Sequence, residues 1–169
     1  ALAWLPTFQG EPWRALDWFA RGEGYPYGGI LFNLFLADTY AATDEGPIFV
    51  RRIWEASQQP DSFNSVTYFE GIETVLADQG EPLSFEEVFL DFSEARYFLG
   101  GRDDGAHITG AGSWSNGDLD VTATHMVRGL PLGEDGVPPL AKWPEQAGSN
   151  HIILDLAGYE GFPYRVEVD

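Results

Sequence analysis

Three histidines, His107, His125 and His151, are the residues of this 169-residue chain best suited to hold a metal ion or carry a proton. Three imidazoles with water as the fourth ligand can form a catalytic zinc site, but zinc ligands usually lie at short, regular spacings. No two of these histidines lie four residues apart, and each falls in or beside a different predicted strand. We therefore interpret them as structural histidines and expect no metal site in this chain.

Other familiar sites are missing from the sequence. The acidic segment from Gly100 to Gly105 lacks the alternating oxygen ligands and the final glutamate of a calcium loop, so a helix stop followed by a turn is the better interpretation. No nucleophile elbow, phosphate loop or dinucleotide fingerprint occurs. With no cysteine, disulfides and thiolate chemistry are excluded as well.

Charge restricts the partners. The chain carries 27 acidic and 9 basic residues, a net charge of -18, which repels phosphate backbones and anionic lipid. The longest apolar run, from Gly28 to Leu36, is far shorter than the roughly 20 residues that span a membrane. We expect no nucleic-acid partner and no membrane span.

The predicted secondary structure changes from helices to strands near Gly100-Gly101. Before this point, apolar residues recur at helical spacing, and Ser84 followed by Glu87 has the pattern of a capping box. The predicted helices cover about 28–40, a segment from Pro47, 64–78 and 84–99.

After residue 101 the apolar period becomes two, which is typical of strands. Such runs occur at 119–127, 151–156 and 164–168, the last two joined by a hairpin loop. The predicted fold class is α+β. A bundle of about four helices occupies 1–101, and a small antiparallel β-sheet or sandwich module occupies 102–169.

The helix at 28–40 is apolar nearly all round, so it must be covered on opposite sides. We expect part of that cover to come from a partner. Aromatic residues near the N-terminus could also line a sugar or peptide cleft, although aromatic side chains more often fill cores. The predicted contact surface comprises Trp4, Phe8, Trp13, Trp18 and Ile30.

Several segments resemble a myxobacterial-type family of secreted zinc metalloproteases, which are gluzincin-like. The resemblance rests on Pro12-Trp-Arg-Ala-Leu-Asp-Trp-Phe, Tyr25-Pro-Tyr-Gly-Gly-Ile-Leu-Phe-Asn-Leu-Phe-Leu and Pro47-Ile-Phe-Val-Arg-Arg-Ile-Trp-Glu-Ala, and continues at Phe89-Leu-Asp-Phe, at Gly100-Gly-Arg-Asp-Asp-Gly-Ala-His and at His151-Ile-Ile-Leu-Asp-Leu. In that family a His-Glu-x-x-His helix and a later glutamate hold the zinc, upstream of the matched part. This sequence contains no such motif.

The resemblance implies that this chain is the helical plus β portion downstream of the zinc motif, non-catalytic by itself, in a parent protein that binds zinc. It also implies an extracellular, periplasmic or cell-envelope location. Gluzincin-type peptidases carry a Tyr-x-x-Gly whose tyrosine donates to the oxyanion. Tyr25-Pro-Tyr-Gly28 looks similar, which makes Tyr25 the candidate oxyanion donor and Tyr27 the reserve.

A second hypothesis stays open beside the first. The chain could be a non-catalytic accessory or scaffold subunit, acting as a binding module in a larger envelope or extracellular assembly. The expected partners are the rest of its own precursor, a second copy, or a host protein assembly.

Overall fold

The computed structural model describes residues 2–41, 45–58, 67–114, 119–121, 125–128, 145, 147–149 and 151–155. Helices dominate this part of the chain. After a 3-10 turn at Leu2–Trp4, they are α1 (Leu5–Gly10), α2 (Tyr25–Gly28), α3 (Ile30–Thr39), α4 (Gly46–Ser57), α5 (Tyr68–Asp78) and α6 (Phe85–Tyr97). None of these helices is both long and apolar enough to cross a lipid bilayer.

Local signals explain where α5 and α6 begin. The side chain of Ser84 accepts from the backbone N–H of Glu87, and the Glu87 carboxylate accepts from the N–H of Ser84, which confirms the predicted capping box. Thr67 and Glu70 form the same reciprocal pair before α5, a box that the sequence analysis missed. Each box satisfies backbone donors that lack a partner in the first turn.

The core is built around phenylalanines. The ring of Phe92 in α6 lies 4.9 Å from that of Phe32 and 5.5 Å from that of Phe35, both in α3. Helices α4 and α5 approach closely at Gly71, where a Cβ atom would lie 2.5 Å from the Ser57 hydroxyl oxygen. The same core continues beyond residue 101, since Ile108, Ala111 and Leu119 belong to it.

Two polar residues, Gln9 and Arg96, are buried in this core at about 1% exposure each. Gln9 lies in α1 and Arg96 lies in α6, 87 residues further along the sequence. The Arg96 guanidinium lies 4.4 Å over the ring of Phe8. Burial lowers the pKa of Arg96 to about 10.

The predicted α+β class is wrong, because the described residues form a helical fold without a β-sheet module. Within the described ranges, strand pairing is limited to β1 (His125–Arg128) and β2 (Ile152–Asp155), which run parallel rather than antiparallel. Two four-residue strands are too short to form an independent module. The predicted strand at 164–168 and its hairpin lie outside the described residues.

The alternation at Leu119 and Val121 has a different cause from the one we expected. This segment is irregular rather than extended in a ladder, and both side chains are buried, with Leu119 in the helical core. An irregular segment lying on a core can also bury every second residue. The period of two therefore did not require a sheet here.

The loop between α1 and α2 is held by a segment from far along the chain. Backbone groups of residues 12–16 bond to those of 145–149, among them the N–H of Leu16, which donates to the carbonyl of Ala147 over 3.1 Å. Glycine at position 148 allows this close approach, because a Cβ there would collide with the backbone of the loop. These bonds fix the loop in place across about 130 residues of sequence.

Candidate functional site

A groove of about 700 Å³ opens beside the junction of α2 and α3, with α4 and the start of α5 on its other side. This volume falls within the range of small-ligand and peptide-side-chain sites. Most of its lining side chains are apolar or aromatic. The lining residues are Leu16, Asp17, Pro26, Tyr27, Gly29, Ile30, Phe32, Asn33, Trp54, Thr67, Tyr68 and Phe69.

The walls of the groove expose apolar surface to solvent. Tyr27 is 64% exposed, Ile30 is 37% exposed and Trp54 is 54% exposed. Tyr27, Ile30 and Leu34 are spaced three and four residues apart, so they form one stripe along α2 and α3. Ile30 and Leu34 stay partly open, so the described part of this chain does not cover α3 on all sides. Cover by a partner stays a prediction.

The floor of the groove belongs to the core. Phe32 is buried, and its ring lies 6.2 Å from that of Phe85 in an edge-on arrangement. The ring of Phe69 stacks on the same Phe85 ring at 4.0 Å. Close packing of this kind holds side chains in fixed positions, so the groove has a rigid floor.

Few polar groups face this apolar surface. The Tyr68 hydroxyl donates to Oδ1 of Asn33 over 2.5 Å, and burial raises the pKa of Tyr68 to about 12. The amide N–H groups of Asn33 remain as donors, and no acceptor for them lies among the described residues. Asp17 is exposed, and no lysine, arginine or histidine is found among the described residues that line the groove.

Tyr25, the candidate oxyanion donor, lies outside this groove. Its side chain is buried against Phe8, with ring centroids 4.9 Å apart, and its hydroxyl donates to the backbone carbonyl of Arg14 over 3.0 Å. Burial raises the pKa of Tyr25 to about 12. The hydroxyl thus bonds the loop to α2, while Tyr27, the reserve candidate, lines the groove. The oxyanion role of either residue stays a prediction.

The five predicted contact residues do not share one surface. Phe8 is fully buried in the core, and Trp13 and Trp18 are half-buried. The Arg14 guanidinium lies over Trp18, with its central carbon 4.0 Å from the centroid of the Trp18 ring. Trp4 and Ile30 are the exposed members, and Ile30 alone lines the groove.

Two of the three histidines, His107 and His151, each stack on an aromatic ring, and His125 pairs across the two strands with Ile152, the residue that follows His151. The ring of His107 stacks on Phe98 at 4.1 Å, and its Nδ1 lies 2.9 Å from a carboxylate oxygen of Asp104. The ring of His151 stacks over Tyr97 at 6.0 Å, and His125 begins β1. Over the described part of the chain, no three histidine or carboxylate side chains form a group that could hold a metal ion.

Sequence reasoning missed Trp54, Tyr68 and Asn33 as groove residues. Helical spacing in the segment from Pro47 predicts that Trp54 shares a buried stripe with Phe49 and Ile53, but only Phe49 and Ile53 are buried. The place of Trp54 at the edge of that stripe was the available signal. Tyr68 follows Thr67 directly, so the unrecognised capping box would have located it at the helix start.

No protein-family model, curated protein or solved structure matches this chain. A functional assignment therefore depends on the site itself and on the segments quoted above.

Proposed function

We propose that this chain is a non-catalytic binding module of a larger secreted or cell-envelope protein or assembly. The groove between α2–α3 and α4–α5 is its binding surface. The observation that carries the proposal is the exposure of Tyr27, Ile30 and Trp54 around a groove with a rigid aromatic floor.

Exposed apolar side chains grouped around a concavity support this proposal, because such patches on soluble proteins usually mark interaction sites. The chain as a whole is strongly acidic, with a net charge of -18. A protein with this charge stays in solution while keeping an apolar site open. Anionic partners such as nucleic acid are disfavoured for the same reason.

The partner in this proposal is the rest of the chain's own precursor, a second copy, or a host protein. The resemblance to secreted zinc metalloproteases favours a parent protein with an upstream zinc-binding segment. In that arrangement zinc and catalysis belong to the parent, and this chain contributes the binding surface. The location would be extracellular or periplasmic.

Site-specific photo-crosslinking in the organism that makes the protein tests the proposal. A photoreactive amino acid replaces Tyr27 in the groove wall or, as a matched control, Leu90 on α6, which is 68% exposed. We expect a discrete crosslinked product from position 27 and none from position 90. Equal products from both positions, or none from either, would contradict a dedicated binding surface.

The identity of the crosslinked product then distinguishes the possible parents. A peptide from the same reading frame, upstream of Ala1 and containing His-Glu-x-x-His, would support the metalloprotease parent. A product from a second gene would support the accessory-subunit alternative.

A further inference from the structure

We propose that the occupant of the groove is a peptide segment that places a large apolar side chain on the aromatic floor and a lysine or arginine beside Asp17. This inference rests on the binding function proposed above and names the chemistry of the partner.

The apolar requirement follows from the floor and walls. Phe32 and Phe69 at the bottom offer no hydrogen-bonding group, and Ile30 and Trp54 extend the same surface upward. An apolar side chain placed there removes its own surface and that of the walls from water. Burial of one such side chain contributes to affinity together with the remaining apolar and polar contacts of the segment.

A peptide suits the polar groups that remain. The Asn33 amide has N–H donors available, because its Oδ1 already accepts from Tyr68. A backbone carbonyl is a fitting acceptor for such a donor, and one well-placed amide fixes the direction of a bound chain. A sugar needs partners for many hydroxyls, and the described lining offers few polar side chains for them. These are Asp17, Tyr27, Asn33, Trp54, Thr67 and Tyr68.

The cation follows from charge complementarity. Asp17 is an exposed carboxylate at the groove, and among the described residues no basic side chain lines the groove to neutralise it. The wider field is also negative, with 27 acidic residues against 9 basic ones. A cationic side chain next to the apolar anchor is therefore attracted to this rim, and an anionic one is repelled.

Three capped hexapeptides test the inference by calorimetry on the 169-residue chain. They share a phenylalanine–leucine core and differ only in one flanking residue, which is lysine, glutamine or glutamate. At about 10 mM NaCl we expect the lysine peptide to bind about two- to fivefold more tightly than the glutamine peptide, with the glutamate peptide weakest. At about 300 mM NaCl this preference should shrink, because salt screens exposed charges.

Two variants separate the local carboxylate from the general negative field. Asp17→Asn should remove the lysine preference while glutamine-peptide binding is kept. Asp78→Asn makes the same charge change at the far end of α5 and should keep the preference. Ile30→Gln should weaken all three peptides by about tenfold, since it removes part of the apolar wall.

Different failures point to different conclusions. Equal binding of the three peptides, or a lysine preference that survives Asp17→Asn, would contradict the requirement for a cationic side chain beside Asp17. The proposed binding function would not be affected. Absence of peptide binding together with a crosslink from position 27 overturns the peptide chemistry alone. If xylohexaose binds and displaces the glutamine peptide, the groove is a sugar site and the inference is wrong.

Discussion

Nε of Arg96 donates to Oε1 of Gln9 over 3.0 Å in the interior of the protein. The amide of Gln9 in turn donates to the carbonyl of Arg96 at 3.0 Å and to that of Leu119 at 2.9 Å. Gln9 therefore donates to a carbonyl in the last turn of α6, where carbonyl oxygens have no N–H donor within the helix. One side chain joins α1, α6 and the segment at 119–121.

Replacing Gln9 with leucine should destabilise the fold strongly. Gln9→Leu leaves the Arg96 guanidinium short of one acceptor and two buried carbonyls without this donor. The carbonyl of Phe8 still accepts from Nη2 of Arg96, but among the described residues no carboxylate pairs with this guanidinium. We expect the free energy of unfolding to fall by about 2–3 kcal/mol, measured by urea denaturation.

Gln58→Leu is the matched control, because Gln58 is exposed just after α4. Its effect should stay within about 0.5 kcal/mol. Equal effects of the two substitutions would show that the buried network contributes nothing particular to stability.

Tyr25→Phe should lower stability rather than alter the groove. The substitution removes the hydrogen bond to the carbonyl of Arg14 and keeps the ring packed on Phe8. We expect a loss of about 1 kcal/mol in the free energy of unfolding. Tyr27→Phe serves as the control, since its side chain is largely exposed and should change stability little.

The same pair of variants also examines the oxyanion role that the resemblance implies. In a zinc-bearing parent protein, loss of one oxyanion donor lowers turnover by roughly 100-fold or more. If Tyr25→Phe reduces turnover on that scale without reducing stability, the tyrosine is catalytic. A loss of stability with unchanged turnover would make it a packing residue.

His151 should make the protein sensitive to acid. Burial, together with the positive charges of Arg96 and Arg102, lowers the pKa of His151 to about 4. As pH falls below about 6.5, the unfolded chain binds a proton there that the folded chain does not bind until about pH 4. The stability contributed by a neutral His151 is therefore present above pH 6.5 and is lost as pH falls toward 4.

His151→Gln removes this titration. Between about pH 7 and about pH 4.5, the free energy of unfolding should fall more in the wild type than in the variant. The nuclear magnetic resonance titration of the His151 ring provides an independent measurement. Parallel stability curves for the two proteins would contradict the prediction.

Helices with local signals were accessible from the sequence. The start of α6 depends on Ser84 and Glu87, three residues apart, and its end precedes the glycines at 100 and 101. These interactions join residues that are close in the sequence, so they can be predicted from the sequence alone. The start of α5 uses the same device at Thr67 and could have been read in the same way.

Longer-range features were not accessible. The hydrophobic alternation at Leu119 and Val121 predicted strands, but whether such residues face a sheet or a helical core depends on distant segments. The burial of Gln9 and Arg96 likewise needs partners 87 residues apart. The sequence predicted only part of the groove lining. Tyr27 was a candidate oxyanion donor and Ile30 a predicted contact residue, whereas Trp54 was expected to be buried.

The bonds between residues 12–16 and 145–149 bear on the order of events during synthesis. Leu16 and Asp17 line the groove near the N-terminus, yet the backbone of Leu16 is held by Ala147. Contacts across so much sequence form late, because the intervening chain must exist before its ends can meet. A nascent chain on the ribosome thus has α3 and α4 long before it has a finished binding site. Partner recognition is thereby postponed until the segment at 145–149 has been translated.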